Sequence, residues 1–374
     1  MTQKEFLKLA DKYDQGKCSS KEKALLFKFC DQAQFESLLD TKEFPQEAQT
    51  KIRLYKRILQ TIKDNDFNKR RSFMFKRVRN IAAILVAASL VSYFFLQQNF
   101  ITESQNLAKE ITLELEDGTI QIVKENDNNA FFNKNGGILS IQKGNRLFYS
   151  NVDSVSKLIY NILTVPYGKK IELELSDGTT AFLNSGTSIK YPSKFIKNKK
   201  RQIYVTGEVF LSVAKDSLHP FVVNANGLNI SVLGTEFNLS AYPEDKTTEV
   251  VLVEGAVALY NDSIIDKNNR IILKPGERAV FNKASSNIST NSVITKPYTS
   301  WMNGELVFRN MTFENITKKL ERHYDVKVLN RNKEINKTIF NASFGKASIE
   351  EILESLKENY GIEFSINDKT VIIY

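Results

Sequence analysis

One stretch decides the fold of the largest part of the chain: Ile171-Glu-Leu173-Glu-Leu175-Ser-Asp177-Gly178-Thr179. Apolar and polar residues alternate along it, and Asp-Gly closes the run. This combination is typical of a β-strand that enters a tight hairpin. The same pattern occurs sixty residues earlier, as Ile111-Thr-Leu113-Glu-Leu115-Glu-Asp117-Gly118-Thr119. The repeat predicts two similar β units in series.

Short strand patterns continue from this stretch to about residue 283, and glycines punctuate them. The predicted strands are Ile203–Thr206, Glu208–Val213, Phe221–Val223, Leu228–Leu233, Glu236–Tyr242, Glu249–Glu254, Ala256–Tyr260, Ile271–Leu273 and Arg278–Phe281. No helical pattern interrupts them. We therefore predict an all-β domain over residues 107–283, built as a sandwich, a barrel or a solenoid.

The period changes again towards the C-terminus. Residues 284–300 are rich in Ser, Thr and Asn, which predicts a linker. In residues 301–374, Thr312-Phe-x-x-Ile-x-x-x-Leu-x-x-x-Tyr324 recurs 36 positions later as Ser348-Ile-x-x-Ile-x-x-x-Leu-x-x-x-Tyr360. Thr and Ser are favoured helix N-caps, and each helix pattern runs into a strand pattern. The repeat predicts a small α+β domain of two β-α-β units.

The last strand pattern allows two alternatives. Its residues are Val371, Ile372, Ile373 and Tyr374. At the edge of a sheet they would accept a partner strand, whereas inside the sheet they would pack on the helices of their own domain. A single sequence does not give the position of a strand in its sheet, so both alternatives stay open.

An apolar run separates this C-terminal bulk from the N-terminus: Asn80-Ile-Ala-Ala-Ile-Leu-Val-Ala-Ala-Ser-Leu-Val-Ser-Tyr-Phe-Phe-Leu96. Six cations and no acid lie in residues 69–79, just before it. A signal peptide would begin near residue 1, and a core helix this apolar would need less polar flanks. We predict one transmembrane helix over residues 79–99 in a multidomain membrane protein, with the basic N-terminal side in the cytoplasm.

The sequence pattern of residues 1–68 predicts a small cytoplasmic bundle of short amphipathic helices. Ser19-x-x-Glu22 has the spacing of a capping box in front of the second helix. Apolar residues recur at helical spacing in two groups. They are Leu25, Leu26 and Phe29, then Ile52, Tyr55 and Leu59. Such faces bury one another or receive a helix of a partner.

Composition argues against several classes of function. The net charge is +9, but no dense basic stripe with interleaved aromatic residues occurs, so we predict no direct nucleic-acid binding. The usual enzyme motifs are absent, and we predict neither catalysis nor a cofactor. His219 and His323 have no acidic neighbours at ligand spacing, so we predict no metal site. Both cysteines, Cys18 and Cys30, precede the apolar run.

The chain resembles the FecR family of transmembrane anti-sigma factors, of the Bacteroidota type. The motifs that carry this resemblance include Val165-Pro-Tyr-Gly168, Leu183-Asn-Ser-Gly-Thr187, Gly207-Glu-Val-Phe210, His219-Pro-Phe221, Val232-Leu-Gly-Thr235, Val253-Glu-Gly255 and Lys274-Pro-Gly-Glu277. Residues 301–374 resemble the C-terminal domain often paired with it, which is related to the short signalling fold of secretins and TonB-dependent transporters.

The resemblance implies a sensor in the inner membrane. Its cytoplasmic helices would bind an extracytoplasmic-function sigma factor through the two apolar groups named above. Its periplasmic part would contact the signalling domain of a TonB-dependent outer-membrane transporter. The resemblance also implies that the Gly234–Thr235 bond is a candidate for self-cleavage by an N-to-O acyl shift. The alternative for Gly234 is a bulge between two strands.

Two other functions compete with the sensor. The first is a membrane-anchored periplasmic carbohydrate-binding or hydrolytic protein, and the second is an assembly component of an envelope machine. A carbohydrate-binding cleft needs exposed aromatic residues or paired carboxylates. The single tryptophan, Trp301, lies at a predicted domain junction instead, so we favour the sensor.

Overall fold

The computed structural model describes residues 1–30, 56–57, 60–61, 93, 109–132, 138–149, 158–261 and 270–374. The chain divides into two units, residues 1–100 and residues 101–374, and each is described by itself. In the described ranges, no helix combines the length and the apolar character that a bilayer span requires. The predicted span over residues 79–99 lies outside these ranges apart from Tyr93.

The N-terminal unit begins with a pair of helices, α1 (Gln3–Asp14) and α2 (Ser20–Cys30). Each helix has a capping box. In the second, Glu22 N donates to Ser19 Oγ over 3.4 Å, and Ser19 N donates to Glu22 Oε2 over 2.8 Å. This confirms the capping box that the sequence predicted.

Two sheets make up most of the second unit. In the described residues the first sheet has nine strands, in the order β2 (Ile120–Val123), β1 (Ile111–Glu114), β6 (Tyr160–Val165), β9 (Thr187–Pro192), β10 (Arg201–Ser212), β11 (Phe221–Ala225), β12 (Leu228–Val232), β15 (Val257–Asn261) and β16 (Ile271–Leu273). Only the β10–β11 pair among them is parallel.

The second sheet shares β10 with the first. Its ten described strands are β3 (Asp127–Phe132), β4 (Ile138–Gly144), β5 (Arg146–Tyr149), β7 (Ile171–Glu174), β8 (Thr180–Leu183), β10, β13 (Glu236–Ala241), β14 (Thr247–Glu254), β17 (Glu277–Asn282) and β18 (Ile288–Ser292). One apolar core takes side chains from both sheets, among them Ile189, Tyr191, Leu173 and Phe237. The domain is therefore a β-sandwich, one of the architectures that the strand spacing predicted.

Strand β10 changes sheets at Gly207. Residues 204–206 pair with β9 in the first sheet, and residues 209–212 pair with β8 in the second. Gly207 has φ +106°, and a Cβ atom there would lie 2.6 Å from Thr187 Cα. Only glycine fits this corner without strain, because other residues rarely adopt a positive φ and have no room here. The sequence pattern predicted two separate strands on either side of Gly207, and the structure has one bent strand.

The two predicted hairpins have the same turn. Leu175 N donates to Thr179 O over 2.8 Å, and Leu115 N donates to Thr119 O over 2.9 Å. In each turn the aspartate accepts a hydrogen bond from the backbone of the threonine two residues later, at 3.0 Å. The repeat in the sequence therefore corresponds to a repeat in structure.

Residues 284–300 differ from the prediction of a linker. Strand β18 lies in this segment and pairs with β17, and a short helix, α3 (Lys296–Thr299), follows it. Four of the five side chains of β18 are exposed. A polar edge strand therefore has the composition of a linker, although its backbone is fully part of the sheet.

The C-terminal module has the predicted two β-α-β units. They are β19 (Val307–Thr312), α4 (Phe313–Tyr324) and β20 (Lys327–Asn330), then β21 (Ile339–Ser343), α5 (Ile349–Tyr360) and β22 (Phe364–Asn367), followed by a last strand, β23 (Thr370–Ile373). The repeated apolar positions Ile316, Leu320, Ile352 and Leu356 are buried in one core. This core is separate from that of the sandwich.

Strand β23 is internal. It pairs in parallel with β20 on one side and antiparallel with β22 on the other. Val371 and Ile373 are buried, whereas Ile372 lies on the opposite face and Tyr374 follows the strand. The edge position that we kept open for these four residues is therefore wrong, because both sides of the strand are already paired.

Candidate functional site

The predicted sigma-factor contact residues fall into two environments. Leu25 is 58% exposed and lines an open groove of about 440 Å³ with Met1, Leu9 and Phe29. Apolar side chains in such a groove suit a helix of a partner protein. The predicted contacts Ile52, Tyr55 and Leu59 lie outside the described residues.

Leu26 does not line the groove. It is fully buried and clusters with Phe6 and Ala10 between α1 and α2. Phe29 links the two environments, because its ring also lies 5.5 Å from that of Phe6. Leu26 therefore stabilises the helix pair, and Leu25 remains available for a partner.

A second candidate site lies where the C-terminal module contacts the sandwich, and Arg322 is its centre. The Arg322 guanidinium lies 3.7 Å from the centroid of the Tyr242 ring. Its Nη1 donates to Glu244 Oε1 over 2.6 Å, and Asp245 Oδ2 is 3.5 Å away. Gly168 N donates to the carbonyl oxygen of Arg322 over 2.9 Å. Arg322 is only 8% exposed, so loss of either partner would leave a charge poorly solvated.

Trp301 extends this junction towards the second sheet. It is 3% exposed, and its Nε1 donates to Asn238 Oδ1 over 2.9 Å. The amides of Asn238 and Asn184 both donate to the buried carboxylate of Glu208, over 3.1 and 2.8 Å. A chain of hydrogen bonds therefore runs from Trp301 into the sandwich.

Basic groups surround Glu208 at the junction. Lys170 donates to the Trp301 carbonyl oxygen over 2.7 Å, and Lys319 donates to Val307 O over 3.2 Å. Burial lowers the pKa of both lysines, and Glu208 opposes this effect. Burial, reinforced by the two lysines, lowers the pKa of His323 from 6.5 to about 4. His323 is therefore neutral at pH 7.

Glu208, Trp301, Lys319 and His323 line a cavity of about 440 Å³ between the sandwich and the C-terminal module. The contacts at this junction include hydrogen bonds, ion pairs and cation–π contacts of Arg322 with Tyr242 and of Lys170 with Trp301, which fix one module on the other with directional specificity. Among the described residues, the arrangement suits the positioning of a module better than catalysis.

Sequence analysis missed the junction residues, although the repeat contained a signal. Lys318, Lys319 and Arg322 lie on α4, and the residues 36 positions later on α5 are Glu354, Ser355 and Glu358. The two copies share three buried apolar positions, but at the three positions just named only the first helix is basic. Basic residues on one face of only one of the two repeated helices indicate that this face has a different neighbour.

Gly234 and Thr235 lie between β12 and β13, next to an irregularity in the pairing of β13 with β14. Gly234 has φ +153°, and a Cβ atom there would lie 2.8 Å from Lys215 Cα. Thr235 is buried, and its Oγ1 donates to Ala256 O over 3.0 Å. These contacts favour the bulge alternative. Self-cleavage stays a prediction, which a denaturing gel of the purified chain would check.

The two histidines lie in different parts of the structure and have different neighbours. His219 Nδ1 lies 2.8 Å from Asp216 Oδ2, and the histidine lowers the pKa of that carboxyl group. His323 packs against Tyr324 at the junction. Across the described ranges, no three His, Cys, Asp or Glu side chains lie together as a metal site would require.

Comparison with known proteins agrees with the architecture. A family model described as FecR protein matches residues 161–258, and one described as the FecR C-terminal domain matches residues 305–373. A comparison with curated proteins finds no match. Two crystal structures of a candidate anti-sigma factor from Parabacteroides distasonis, at 2.50 and 1.65 Å resolution, are similar to this chain.

Each of these structures is 25% identical, has a TM-score of 0.53, and aligns with 57% of this chain and 98% of its own. The first family model covers most of the sandwich core and both sides of the Gly207 corner, and the second covers nearly the whole C-terminal module. Residues 161–258 therefore form a FecR domain, and residues 305–373 form the C-terminal domain that belongs to the same family.

Proposed function

We propose that the protein is an inner-membrane anti-sigma factor. In this proposal, residues 1–68 bind an extracytoplasmic-function sigma factor in the cytoplasm, and residues 79–99 cross the membrane. The sandwich and the C-terminal module lie in the periplasm and receive a signal from the signalling domain of a TonB-dependent transporter. The observation that carries the proposal is the tandem of FecR and FecR C-terminal domains, together with the similarity to a candidate anti-sigma factor.

The helix pair supports binding of the sigma factor. Leu25 and Phe29 line the groove, while Leu26 and Phe6 hold the helices together. A helix of a sigma factor that covers Leu25 would remove its exposed apolar surface from water, which stabilises a complex by about 25 cal/mol per Å². The position of the six cations in residues 69–79 supports a cytoplasmic location for this unit.

The junction supports a role in transmitting the signal. Polar contacts between modules separate more readily than an apolar core does, so a partner that binds the C-terminal module can change them. Arg322 and Trp301 connect that module to residues in the interior of the sandwich. We propose that the transporter acts on this connection.

The test of the sigma-factor proposal compares two variants of the full chain in detergent. Leu25→Glu places a charge in the groove and should weaken capture of the sigma factor at least about tenfold. Ala24→Glu is the matched control, because Ala24 is exposed on the same helix but does not line the groove. If Leu25→Glu captures the same sigma factors as Ala24→Glu, the groove is not the contact. If the unaltered chain captures none, the proposed function itself is wrong.

A second test concerns the membrane. A reporter fused after Tyr374 should be active in the periplasm, and the chain should stay in membranes during carbonate extraction. Cytosolic activity of the reporter, or release of the chain by carbonate, would contradict the proposed topology.

Trp301 gives no support to the alternative of a carbohydrate-binding or hydrolytic protein as the main function. That alternative required a cleft with exposed aromatic residues or paired carboxylates, and Trp301 does not supply one at the junction, because it is buried against Asn238. A role in envelope assembly is distinguished from the sensor by the capture experiment, because only the sensor requires a sigma factor.

A further inference from the structure

Residues 178–207 form the most basic part of the sandwich. This stretch of the sequence contains Lys190, Lys194, Lys197, Lys199, Lys200 and Arg201, and it contains no Asp or Glu. Arg201 is buried and pairs with Asp177 over 2.7 Å, so its charge is already compensated. Lys197, Lys199 and Lys200 are exposed and lie in the loop between β9 and β10. The loop therefore presents an uncompensated positive potential.

Both ends of this loop are anchored. Ser193 N donates to Ile159 O over 2.8 Å, next to Tyr160 on β6. Phe195 packs on Phe221, with ring centroids 5.8 Å apart, and its N–H donates to Ser176 Oγ. At the other end Arg201 Nε donates to His219 O over 3.1 Å. The loop is thus held at the end of the first sheet, where the outer face of β9 and β10 begins.

Two tyrosines lie on that sheet face next to the loop. The rings of Tyr160 and Tyr204 have centroids 6.2 Å apart, and Tyr204 is 39% exposed. Lys190 is paired in register with Tyr204, and its Nζ lies 5.5 Å from the centroid of Tyr160. Gln202 Nε2 donates to the Tyr204 hydroxyl over 3.1 Å. We call these four residues, with Lys197, Lys199 and Lys200, the lysine–tyrosine face.

The position of this face in the sheet restricts its ligand. Within the described residues, β6, β9 and the first half of β10 each have a hydrogen-bonded neighbour on both sides. An extended peptide therefore finds no free strand edge here, and recognition must use side chains alone. Glu114 is on the same face, but Ile162 separates it from Lys190 in register. The charge of the face remains positive, so its ligand should be acidic.

We propose that the lysine–tyrosine face binds an acidic oligosaccharide. The apolar faces of pyranose rings stack on aromatic rings, and tyrosine adds a hydroxyl group that hydrogen-bonds to sugar hydroxyls. The lysines on the loop supply ammonium groups for the carboxylates of uronic acid residues. The ligand contacts are charge–charge and stacking contacts, so no covalent step is involved. This site lies outside the sensor function proposed above and does not depend on it.

The experiment titrates the full chain in detergent with tetragalacturonic acid, followed by calorimetry. Maltotetraose is the neutral saccharide and a tetraglutamate peptide is the acidic non-saccharide. We expect saturable binding of tetragalacturonic acid alone, and weaker binding as salt is raised. Tyr204→Ala should lower the affinity about tenfold, because stacking contributes roughly that factor. Tyr204→Phe should keep most of it, since the ring remains.

Matched control variants distinguish binding at the lysine–tyrosine face from nonspecific electrostatic attraction to the chain. The combined change Lys197→Gln, Lys199→Gln and Lys200→Gln should abolish binding, whereas Lys124→Gln, Lys143→Gln and Lys274→Gln, also exposed lysines, should leave it unchanged. Tyr374→Ala is the control for Tyr204→Ala, because Tyr374 is 49% exposed in the C-terminal module. Unchanged Trp301 fluorescence shows that each variant is folded.

Three results would overturn the proposal. They are no saturable binding of tetragalacturonic acid, unchanged affinity in Tyr204→Ala, and tetraglutamate binding as tight as that of the saccharide. The last result would make the face a docking surface for acidic protein segments instead. None of these outcomes changes capture of a sigma factor, so failure here is distinguishable from failure of the proposed function.

Discussion

Gly207 forms the corner at which one strand passes between the two sheets of the sandwich. An alanine there would place its Cβ 2.6 Å from the Thr187 backbone at a φ of +106°. We expect Gly207→Ala to lower the free energy of unfolding by more than about 2 kcal/mol, because strain and overpacking add. Denaturant unfolding measures the change.

Gly227→Ala is the control for this prediction. Gly227 also has a positive φ, +86°, but nothing lies within 4 Å of the position of a Cβ atom. Its substitution should cost only about 1 kcal/mol, from the backbone conformation alone. Equal losses in the two variants would show that close contact at the Gly207 corner is unimportant.

His323 gives the junction a dependence on pH. Its pKa in the folded chain is about 4, below the usual 6.5. Between these values the unfolded chain binds the proton more readily, so the free energy of unfolding should fall as pH decreases from 6.5 to 4. After allowance for partial exposure, the loss is on the order of 1–2 kcal/mol. His323→Gln should remove this part of the pH dependence in urea unfolding measured across that range, and an unchanged slope would contradict it.

At this scale the sequence predicts local turns well. Asp177 and Asp117 each cap the turn that their Asp-Gly pairs indicated. The protonation of His323 was not predictable, because its pKa depends on burial at the junction and on Lys170, which is far away in the sequence. The hydrogen bonds of a turn depend on residues adjacent in the sequence, whereas the pKa of a buried group depends on residues that are adjacent only in the folded chain.

Among the elements, the two repeated helices of the C-terminal module differ at their caps. Ser348 accepts a hydrogen bond from Glu351 N and donates its own N–H to the Glu351 carboxylate. Thr312 is the N-cap of α4 but makes no such side-chain bond. Ser348→Ala should therefore destabilise the module by about 1 kcal/mol, and Thr312→Ala by less. Thermal unfolding of the two variants compares them, and an equal or larger loss for Thr312→Ala would contradict the cap assignment.

The pairing of strands could not be predicted from the pattern of apolar residues. Strand β18 was predicted as a linker because its side chains are mostly polar. Whether β23 lies at the edge of its sheet or inside it was undecided, because a strand's own sequence does not show whether one or both of its edges are hydrogen-bonded. The number of apolar faces that a strand buries is visible in its sequence. The identity of the strands beside it is not, since pairing partners come from distant parts of the chain.

On the scale of the whole molecule, the two cores of the second unit are joined mainly through polar contacts. Arg322→Ala removes the ion pair with Glu244 and the cation–π contact with Tyr242. We expect a loss of about 2–3 kcal/mol and earlier separation of the C-terminal module from the sandwich. Emission of Trp301, the only tryptophan, reports this separation as a red shift that precedes unfolding of the sheets.

The control for this variant is an exposed ion pair of the same module. Lys357 lies 3.1 Å from Glu363, and both side chains are largely exposed. Lys357→Ala should leave stability nearly unchanged, because water and salt screen an exposed ion pair, and it should leave the Trp301 emission unchanged. If Arg322→Ala behaves in the same way, the junction does not depend on Arg322.

The order of the domains was predictable and their contact was not. Periodicity gave an all-β part followed by an α+β part, since each core requires its own pattern of apolar residues. The junction uses scattered residues such as Gly168, Glu208, Glu244 and Trp301, which follow no periodic pattern. The charge difference between the repeated helices is the one signal in the sequence that points to it.

Strand β10 hydrogen-bonds in both sheets of the sandwich, with the corner at Gly207 between its two halves. Mechanical tension along the polypeptide therefore cannot peel one sheet from the other while this strand remains paired. A force applied at one end of the chain would therefore be transmitted through the sandwich with little separation of its two sheets.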